Sequence, residues 1–247
     1  MSKTKGFLLA AGIVLAMAFT FSCSSGGGEG DVSSSSYGGG DPPSSSSTGG
    51  GVVYGTSVTY DNDTYPTVVI GSQTWFAKNL NYNPNSGSSA CYENEDSNCA
   101  VYGRLYDWAT AMGLPSSCNS ANCSSQIQSK HRGICPVGWH IPTHLDWETL
   151  LDYAGGHWVA GTKLKAISGW NGNGNGTDQY GFSALPGGGL SDGNFKNVGN
   201  YGFWWFTNDS EDRIGAAWSW FMVYDDDKVD ANIYYRSSLF SVRCVQD

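Results

Sequence analysis

The chain has 247 residues with 13 basic and 22 acidic side chains, so its formal net charge at pH 7 is −9. An acidic surface with no basic cluster repels phosphate and anionic headgroups, which excludes nucleic acid as an expected partner. Contact with a membrane is therefore expected through a lipid anchor and not through charge.

The first 22 residues have the order of a secretory signal peptide, with two lysines, an uncharged run over residues 6–21 and a small residue before Cys23. The run is shorter than the roughly 20 apolar residues of a membrane-spanning helix. This order predicts a lipoprotein that carries its lipid on Cys23 and lies in the cell envelope, at the outer membrane and exposed on the surface. Only Ser22 of Thr20-Phe21-Ser22 matches a lipoprotein signal well, so plain secretion and a single-pass anchor remain alternatives.

Residues 23–51 are predicted to be the lipidated cysteine and a disordered tether. Residues 24–51 hold 10 glycines and 10 serines among 28 residues, with almost nothing able to build a core. Residues 52–247 have the length of one ordinary domain. Six cysteines remain there once Cys23 is assigned to lipid, and an even number in an exported chain favours three disulfides.

The folded part begins with strands. Alternation over residues 58–75 predicts two or three antiparallel strands with turns at residues 61–63 and 71–72. The first turn, Asp61-Asn62-Asp63, opens like a calcium loop. However, Tyr65 and Pro66 stand where the next ligand and the glycine would be, so turn chemistry is favoured.

Two helices are predicted in the middle of the chain. The first has apolar residues at i, i+3, i+4 and i+7 and a glycine stop, and its residues are Leu105, Trp108, Ala109, Met112 and Gly113. The second has Thr143 as N-cap, Asp146 as capping-box partner and Gly155-Gly156 as its end. Its inward residues are Trp147, Leu150, Leu151 and Ala154.

His140 and His144 have the HxxxH spacing of some zinc sites. Pro142 lies between them and the helix starts after it, so the two histidines are not expected to share a helical face. No metal site is predicted there, and no cofactor is predicted anywhere in the chain.

The last third of the chain combines loops with aromatic strands. Both faces of residues 217–224 are largely apolar, which predicts a central strand covered on each side. The run Asp225-Asp226-Asp227 is interpreted as a solvated turn in preference to a calcium site. Asn-Gly pairs between residues 169 and 176 indicate an irregular loop.

Several segments together resemble the Fibrobacter succinogenes major paralogous domain, over about residues 57–247. These segments are VVIGSQTWFAKNLNY (68–82), GRLYDWATAM (103–112), CPVGWHIPTHLDWETLL (135–151), ALPGGG (184–189), FWWFTND (203–209) and SVRCV (241–245). That family in turn resembles the C-type-lectin-like fold of formylglycine-generating enzymes, whose GWRLPTEAEWE signature is echoed from Gly138 onward. The resemblance implies an α+β fold with two helices, short antiparallel strands and long loops.

The resemblance also implies one disulfide, since the first cysteine of the CPxGW motif pairs with the cysteine near the C-terminus. In this chain these are Cys135 and Cys244. Proximity in sequence suggests two further pairs among the 15 possible connectivities, namely Cys91 with Cys99 and Cys118 with Cys123.

Function does not follow from the fold, because this scaffold hosts enzymes, glycan receptors and protein-binding modules. Formylglycine-generating enzymes use paired reactive cysteines near the C-terminal end, where this chain has only Cys244. Calcium-dependent lectins use an EPN or QPD loop and a WND strand, and none of these tripeptides occurs here. The four histidines have no nucleophile or carboxylate motif beside them. No catalytic residue is therefore predicted.

The leading hypothesis is a non-catalytic, lipid-anchored, lectin-like module that binds polysaccharide or an envelope protein partner. Ten tryptophans and fourteen tyrosines exceed the needs of the core, and exposed rings can stack on sugars. The predicted ligand-binding residues are Trp204, Trp205, Asn208 and Asp209, together with the loop 169–178. The alternatives are a structural or protein-interaction module of an envelope assembly, and an unrecognised enzyme on a formylglycine-generating-enzyme-like scaffold.

Overall fold

The computed structural model describes residues 51–209 and 213–247, without the side chain of Asp209. The predicted signal peptide, the lipid-attachment residue Cys23 and nearly all of the predicted tether lie outside the described residues. Within the described residues, no helix is long and apolar enough to cross a membrane.

The described part is a mixed α+β structure of several small antiparallel sheets and a few helices. The strands are β1 (Val53–Tyr54), β2 (Val58–Tyr60), β3 (Asp63–Tyr65), β4 (Thr67–Ile70), β5 (Gln73–Phe76), β6 (Ser89–Ala90), β7 (Leu105–Tyr106), β8 (Trp139–His140), β9 (Gly189–Ser191), β10 (Asn194–Lys196), β11 (Tyr201–Asp209), β12 (Ala216–Val223), β13 (Val229–Tyr235) and β14 (Val245–Gln246). The α-helices are α1 (Asp96–Tyr102), α2 (Trp108–Ala111), α3 (His144–Tyr153) and α4 (His157–Leu164). Short 3₁₀ helices span Tyr92–Asn94, Ser116–Asn119 and Ser124–Gln126.

Two sheets organise the domain. One has five strands in the order β1-β4-β5-β14-β8, so the C-terminal strand lies between two strands from much earlier in the chain. The other has three strands in the order β11-β12-β13, and β2-β3, β6-β7 and β9-β10 form separate two-stranded pairs. The predicted antiparallel strands and both turns are present, but four strands (β2 to β5) form where two or three were expected. The turn between β2 and β3 has Asp61 and Asn62 at positive φ, and Gly71-Ser72 joins β4 to β5.

The predicted second helix is α3. The Thr143 hydroxyl accepts a hydrogen bond from the Asp146 backbone N–H (3.1 Å), and the Thr143 N–H donates to the Asp146 carboxylate (2.8 Å). These reciprocal bonds form the capping box and fix the first turn. Gly155 follows the helix at φ +100°, a conformation that favours glycine.

The prediction for the first helix was wrong at its start. Leu105 and Tyr106 form β7 and pair with β6. Helix α2 begins only at Trp108, because the Asp107 carboxylate accepts a hydrogen bond from the Thr110 N–H (2.7 Å) and caps the helix there. The expected total of two helices was also wrong, since α1 and α4 are present as well.

The three-stranded sheet is covered on both faces. Trp204, Phe206 and Trp220 belong to a core that also contains α3 and α4, whereas Phe203 and Trp205 belong to a second core that contains α2. Strand β12 lies in the centre of this sheet, so the prediction of a central strand covered on each side is confirmed.

All three expected disulfides are present, as Cys91–Cys99, Cys118–Cys123 and Cys135–Cys244. The last pair joins residues 109 positions apart, and both cysteines are buried in the second core. A cross-link that closes a longer loop removes more entropy from the unfolded chain. The Cys135–Cys244 bridge is therefore expected to contribute more stability than the other two.

Arg243 is a fully buried cation. Its Nε and Nη2 atoms donate to the Asn79 side-chain oxygen (3.1 and 2.8 Å), and its Nη1 donates to the carbonyl oxygens of Phe76 (3.1 Å) and Phe182. The same Asn79 oxygen accepts from the Trp204 indole N–H (2.9 Å). Burial lowers the pKa of Arg243 to about 9, so the side chain is still protonated at neutral pH.

We expect the double variant Cys135→Ala/Cys244→Ala to lose about 4 to 5 kcal/mol of unfolding free energy, from the loop-length relation for disulfides. The matched variant Cys118→Ala/Cys123→Ala closes a far shorter loop and should lose only about 2 kcal/mol by the same relation. Denaturant unfolding monitored by tryptophan fluorescence measures both losses. Equal losses would contradict the entropic account.

Replacement of the buried cation by an apolar side chain should also destabilise the domain. Arg243→Met leaves buried carbonyl oxygens without donors, and we expect a loss of at least about 3 kcal/mol. Arg213 is exposed, so the control Arg213→Met should change the unfolding free energy by less than about 0.5 kcal/mol. A small effect of Arg243→Met in the same denaturant titration would show that the network is dispensable.

Candidate ligand-binding groove

The two tryptophans predicted to bind a ligand are in the core. Trp204 and Trp205 are each 0% exposed and point to opposite faces of β11. The Trp204 indole N–H donates to Asn79 (2.9 Å), and the Trp205 indole N–H donates to the Tyr106 carbonyl oxygen (2.8 Å). The prediction that these rings are exposed for stacking was wrong, because both faces of this sheet are covered.

The predicted loop at 169–178 is also placed away from Asn208. The Asn171 side chain donates to the Asn200 side-chain oxygen (3.1 Å), immediately before the start of β11. Asn208 lies at the other end of this strand, roughly 26 Å away at the rise of an extended chain. Gly172 and Gly174 pack closely against Tyr224. The structure therefore does not bring the loop and Asn208 together.

Asn208 is exposed and lines a groove with a volume of about 310 Å³. Its lining residues are His144, Phe206, Asn208, Trp218 and Ala231. Strands β11, β12 and β13 provide the floor, and the first residue of α3 forms one wall. A shallower recess of about 210 Å³ adjoins the groove at Asn208, with Ser124, Ile127 and Thr207 as its other lining residues.

A strand irregularity explains the groove. The pairing of β11 with β12 shifts register between Trp205 and Asp209. Bulges of this kind redirect side chains and often occur at functional sites. In this region Asn208 becomes exposed and Trp218 is only half-buried, although Trp220, on the same face of β12, is fully covered.

The groove combines aromatic surface with unpaired polar groups. The Asn208 amide and the Trp218 indole N–H make no hydrogen bond to any described residue. An amide can donate two hydrogen bonds and accept others, and an indole ring presents an apolar face beside its N–H donor. This combination suits a ligand with both C–H faces and hydroxyl groups.

His144 makes side-chain contacts at the groove wall. Its ring stacks on Trp220, with centroids 5.7 Å apart and an interplanar angle of 8°. Its Nε2 lies 3.4 Å from one Glu148 oxygen, and the other Glu148 oxygen lies 3.0 Å from His157 Nε2. Glu148 therefore bridges two histidines. Within residues 51–209 and 213–247, no cluster of three or more His, Cys, Asp or Glu side chains is arranged to hold a metal ion.

His140 is in a different environment from His144. It lies in β8, where its Nδ1 is 2.8 Å from the Asp247 carboxylate and its Nε2 is 3.3 Å from the Asp146 carboxylate. Burial lowers the pKa of His140, but the hydrogen bonds and charges of these two carboxylates outweigh burial, so the pKa of His140 is raised overall. Burial raises the pKa of Asp146, but bonds from His140 and Thr143 lower it to about 2. The expectation that His140 and His144 share no helical face is confirmed.

Both acidic turns are held by hydrogen bonds within the chain. The Asp63 carboxylate accepts from Lys78 Nζ (2.6 Å). The Asp226 carboxylate accepts from the Lys228 N–H (3.0 Å), and the Asp227 carboxylate accepts from the Thr162 hydroxyl (2.6 Å). These contacts agree with the interpretation of both segments as turns.

A family model described as the Fibrobacter succinogenes major domain matches residues 68–246. The chain belongs to this family. No curated protein and no solved structure gives a significant match. All five lining residues of the Asn208 groove lie inside the matched region of this family domain.

Sequence reasoning missed His144 and Trp218 as groove residues. Trp218 and Trp220 lie two positions apart on one strand and therefore on one face, and nothing in their spacing shows that only one is covered. The difference in exposure between the two tryptophans arises from the irregular pairing of β11 and from the position of α3. Both are tertiary features.

The His140 contacts predict a pH dependence of stability. The pKa of His140 is raised in the folded state, so its contacts with the two carboxylates add to the unfolding free energy. This added stability is complete below the ordinary histidine pKa of about 6.5, and it is lost as pH rises through the raised pKa. The pKa of Asp146 is lowered, so its contacts add stability that is present above the ordinary aspartate pKa of 3.8. This stability is lost as pH falls toward about 2. The unfolding free energy should therefore fall as the solution is made alkaline from pH 6.

His140→Gln should remove most of that alkaline decrease, and the exposed control His144→Gln should retain it. Thermal unfolding at a series of pH values measures the effect, since each kcal/mol shifts the midpoint by roughly 2 to 4 °C in a domain of this size. If the stability of His140→Gln fell with rising pH as much as that of the unmodified protein, the pH dependence would come from other groups.

Proposed function

We propose that this protein is a non-catalytic, lipid-anchored protein of the cell envelope whose family domain binds polysaccharide in the Asn208 groove. The signal-peptide order that ends at Cys23 supports the anchor and the location at the outer membrane. The sequence echo of the GWRLPTEAEWE signature, within which α3 begins at His144, supports a C-type-lectin-like fold.

One observation carries the proposal of glycan binding. The half-exposed Trp218 ring, the unpaired Asn208 amide and the His144 ring surround one cavity of about 310 Å³. This volume is at the small end of ligand sites and is suited to a single ring of a longer chain. Sugars present apolar C–H faces to aromatic rings and hydroxyl groups to amides, and the groove offers both kinds of partner.

A second candidate, an enzyme on this scaffold, is favoured by the contact between His144 and Glu148 at the groove wall. A carboxylate that orients an imidazole is one part of many acid–base sites. All six cysteines of the domain are in disulfides, so the paired reactive cysteines of formylglycine-generating enzymes have no counterpart here. Binding without catalysis is therefore the proposal that the groove supports better.

The test is retention of the protein on insoluble cellulose and xylan, with and without calcium. The protein is purified from cells that express the full-length sequence. Trp218→Ala and Asn208→Ala should each weaken binding by at least about fivefold, because each removes one ligand contact of about 1 kcal/mol or more. Calcium should make no difference.

The matched control is Trp158→Ala, because Trp158 is a tryptophan on α4 with 71% of its surface exposed. It should bind as the unmodified protein does. Equal loss in Trp158→Ala and Trp218→Ala would indicate non-specific adhesion through exposed rings. No retention of the unmodified protein on either glycan would refute the proposal and favour a protein partner in the envelope.

A further inference from the structure

A second and larger groove lies elsewhere on the domain. Its volume is about 890 Å³, against about 310 Å³ for the Asn208 groove. One wall is formed by residues of the segment 82–88, between β5 and β6, and the other by residues 113–116, directly after α2. Thr110 and Ile134 are buried at its base. No residue lines both this groove and the Asn208 groove.

Both walls are anchored to α2 and its N-cap residue Asp107. The Thr110 hydroxyl accepts a hydrogen bond from the Ser88 N–H (2.8 Å), and the Ser88 carbonyl oxygen accepts from the Asp107 N–H (3.0 Å). On the other side, the Leu114 N–H donates to the Ala109 carbonyl oxygen (2.8 Å). Gly87 packs so closely on Thr110 that a side chain would collide there. The groove is therefore formed without a ligand.

The lining of this groove carries no charge. None of its 12 lining residues is Asp, Glu, Lys, Arg or His, although 14% of the whole chain is charged and the net charge is −9. A charged ligand would lose hydration on entry and gain no counter-charge in return. The ligand of this groove is therefore expected to be uncharged.

The lining is divided between apolar surfaces and free polar groups. Apolar surface comes from Tyr82, Pro84, Leu114 and Pro115. The side chains of Asn85, Ser86, Ser88 and Ser116 are exposed and make no hydrogen bond to any described residue. Hydroxyl and amide groups beside apolar rings match the alternating C–H faces and hydroxyls of a sugar chain.

We propose that this groove binds a stretch of a neutral polysaccharide chain, at a site separate from the Asn208 groove. An extended peptide is the weaker candidate, because peptides that bind as strands pair with an open sheet edge. Neither wall of this groove contains a strand residue. The proposal stands on the large groove alone, so it does not require glycan binding at Asn208.

Isothermal titration calorimetry tests the proposal with cellohexaose and xylohexaose as neutral probes and hexagalacturonate as an anionic probe. The protein is again purified from cells that express the full-length sequence. Ser86→Trp and Ser116→Trp place a large ring in the groove from opposite walls. The matched control is Ser168→Trp at another exposed serine. Thermal unfolding checks that every variant is folded.

We expect at least one neutral probe to bind, and we expect each groove-filling variant to weaken its binding at the large groove by at least about tenfold. Ser168→Trp should retain binding of this probe, and Trp218→Ala should lose only the part of the binding that the Asn208 groove contributes. Hexagalacturonate should bind much more weakly than either neutral probe. Loss of binding in Trp218→Ala alone would support the Asn208 site and overturn the large groove.

Three other results would also overturn the proposal. One is the absence of binding by both neutral probes. Another is unchanged binding in a folded Ser86→Trp or Ser116→Trp variant, because a ring at either wall must obstruct a chain that occupies the groove. The last is equal or tighter binding of the anionic probe, since the argument rests on an uncharged lining.

Discussion

The guanidinium group of Arg243 is buried where several distant segments meet, and its hydrogen bonds go to carbonyl and amide oxygens. A buried charge is tolerated only where hydrogen bonds replace its hydration, so the segments that carry Phe76, Asn79 and Phe182 must arrive at fixed positions around it. The next residue, Cys244, is bonded to Cys135. Strand β14 follows and pairs with both β5 and β8. The last seven residues therefore connect three parts of the domain. These are the hairpin of β4 and β5, the segment before α3, and the three-stranded sheet.

Both grooves result from this arrangement of covered sheets. Helices α3 and α4 cover one face of the three-stranded sheet, but α3 begins at His144 and leaves the end of that face beyond it open. The irregular pairing of β11 exposes Asn208 in this opening. The large groove lies beside α2, whose Trp108 indole N–H donates to the Phe206 carbonyl oxygen (3.3 Å). The scaffold thus fixes the backbone near both grooves, and the lining side chains extend from rigid elements or anchored loops.

Local signals allowed part of this structure to be predicted from sequence. The capping box fixed the start of α3, and the residues Asp61-Asn62 marked a tight turn, because both signals act between residues a few positions apart. The disulfide between Cys135 and Cys244 came from family resemblance alone. Exposure could not be predicted in the same way. The burial of Trp204 and Trp205 depends on segments more than 40 residues away, and the walls of the large groove are brought together by contacts at Thr110.

The charges of the domain are concentrated outside the two grooves, and many of them have a structural use. Lys165 is buried and donates to the carbonyl oxygens of Val223 (2.5 Å) and Asp226 (2.7 Å), while burial lowers the pKa of Lys165 against the opposing effect of three neighbouring aspartates. The acidic run at 225–227 thus closes a turn over this lysine. An overall negative charge repels anionic polymers at long range, and the uncharged lining of the large groove gives them no local compensation. Neutral sugar chains meet neither obstacle at the large groove, and the aromatic and amide groups of the Asn208 groove favour the same class of ligand.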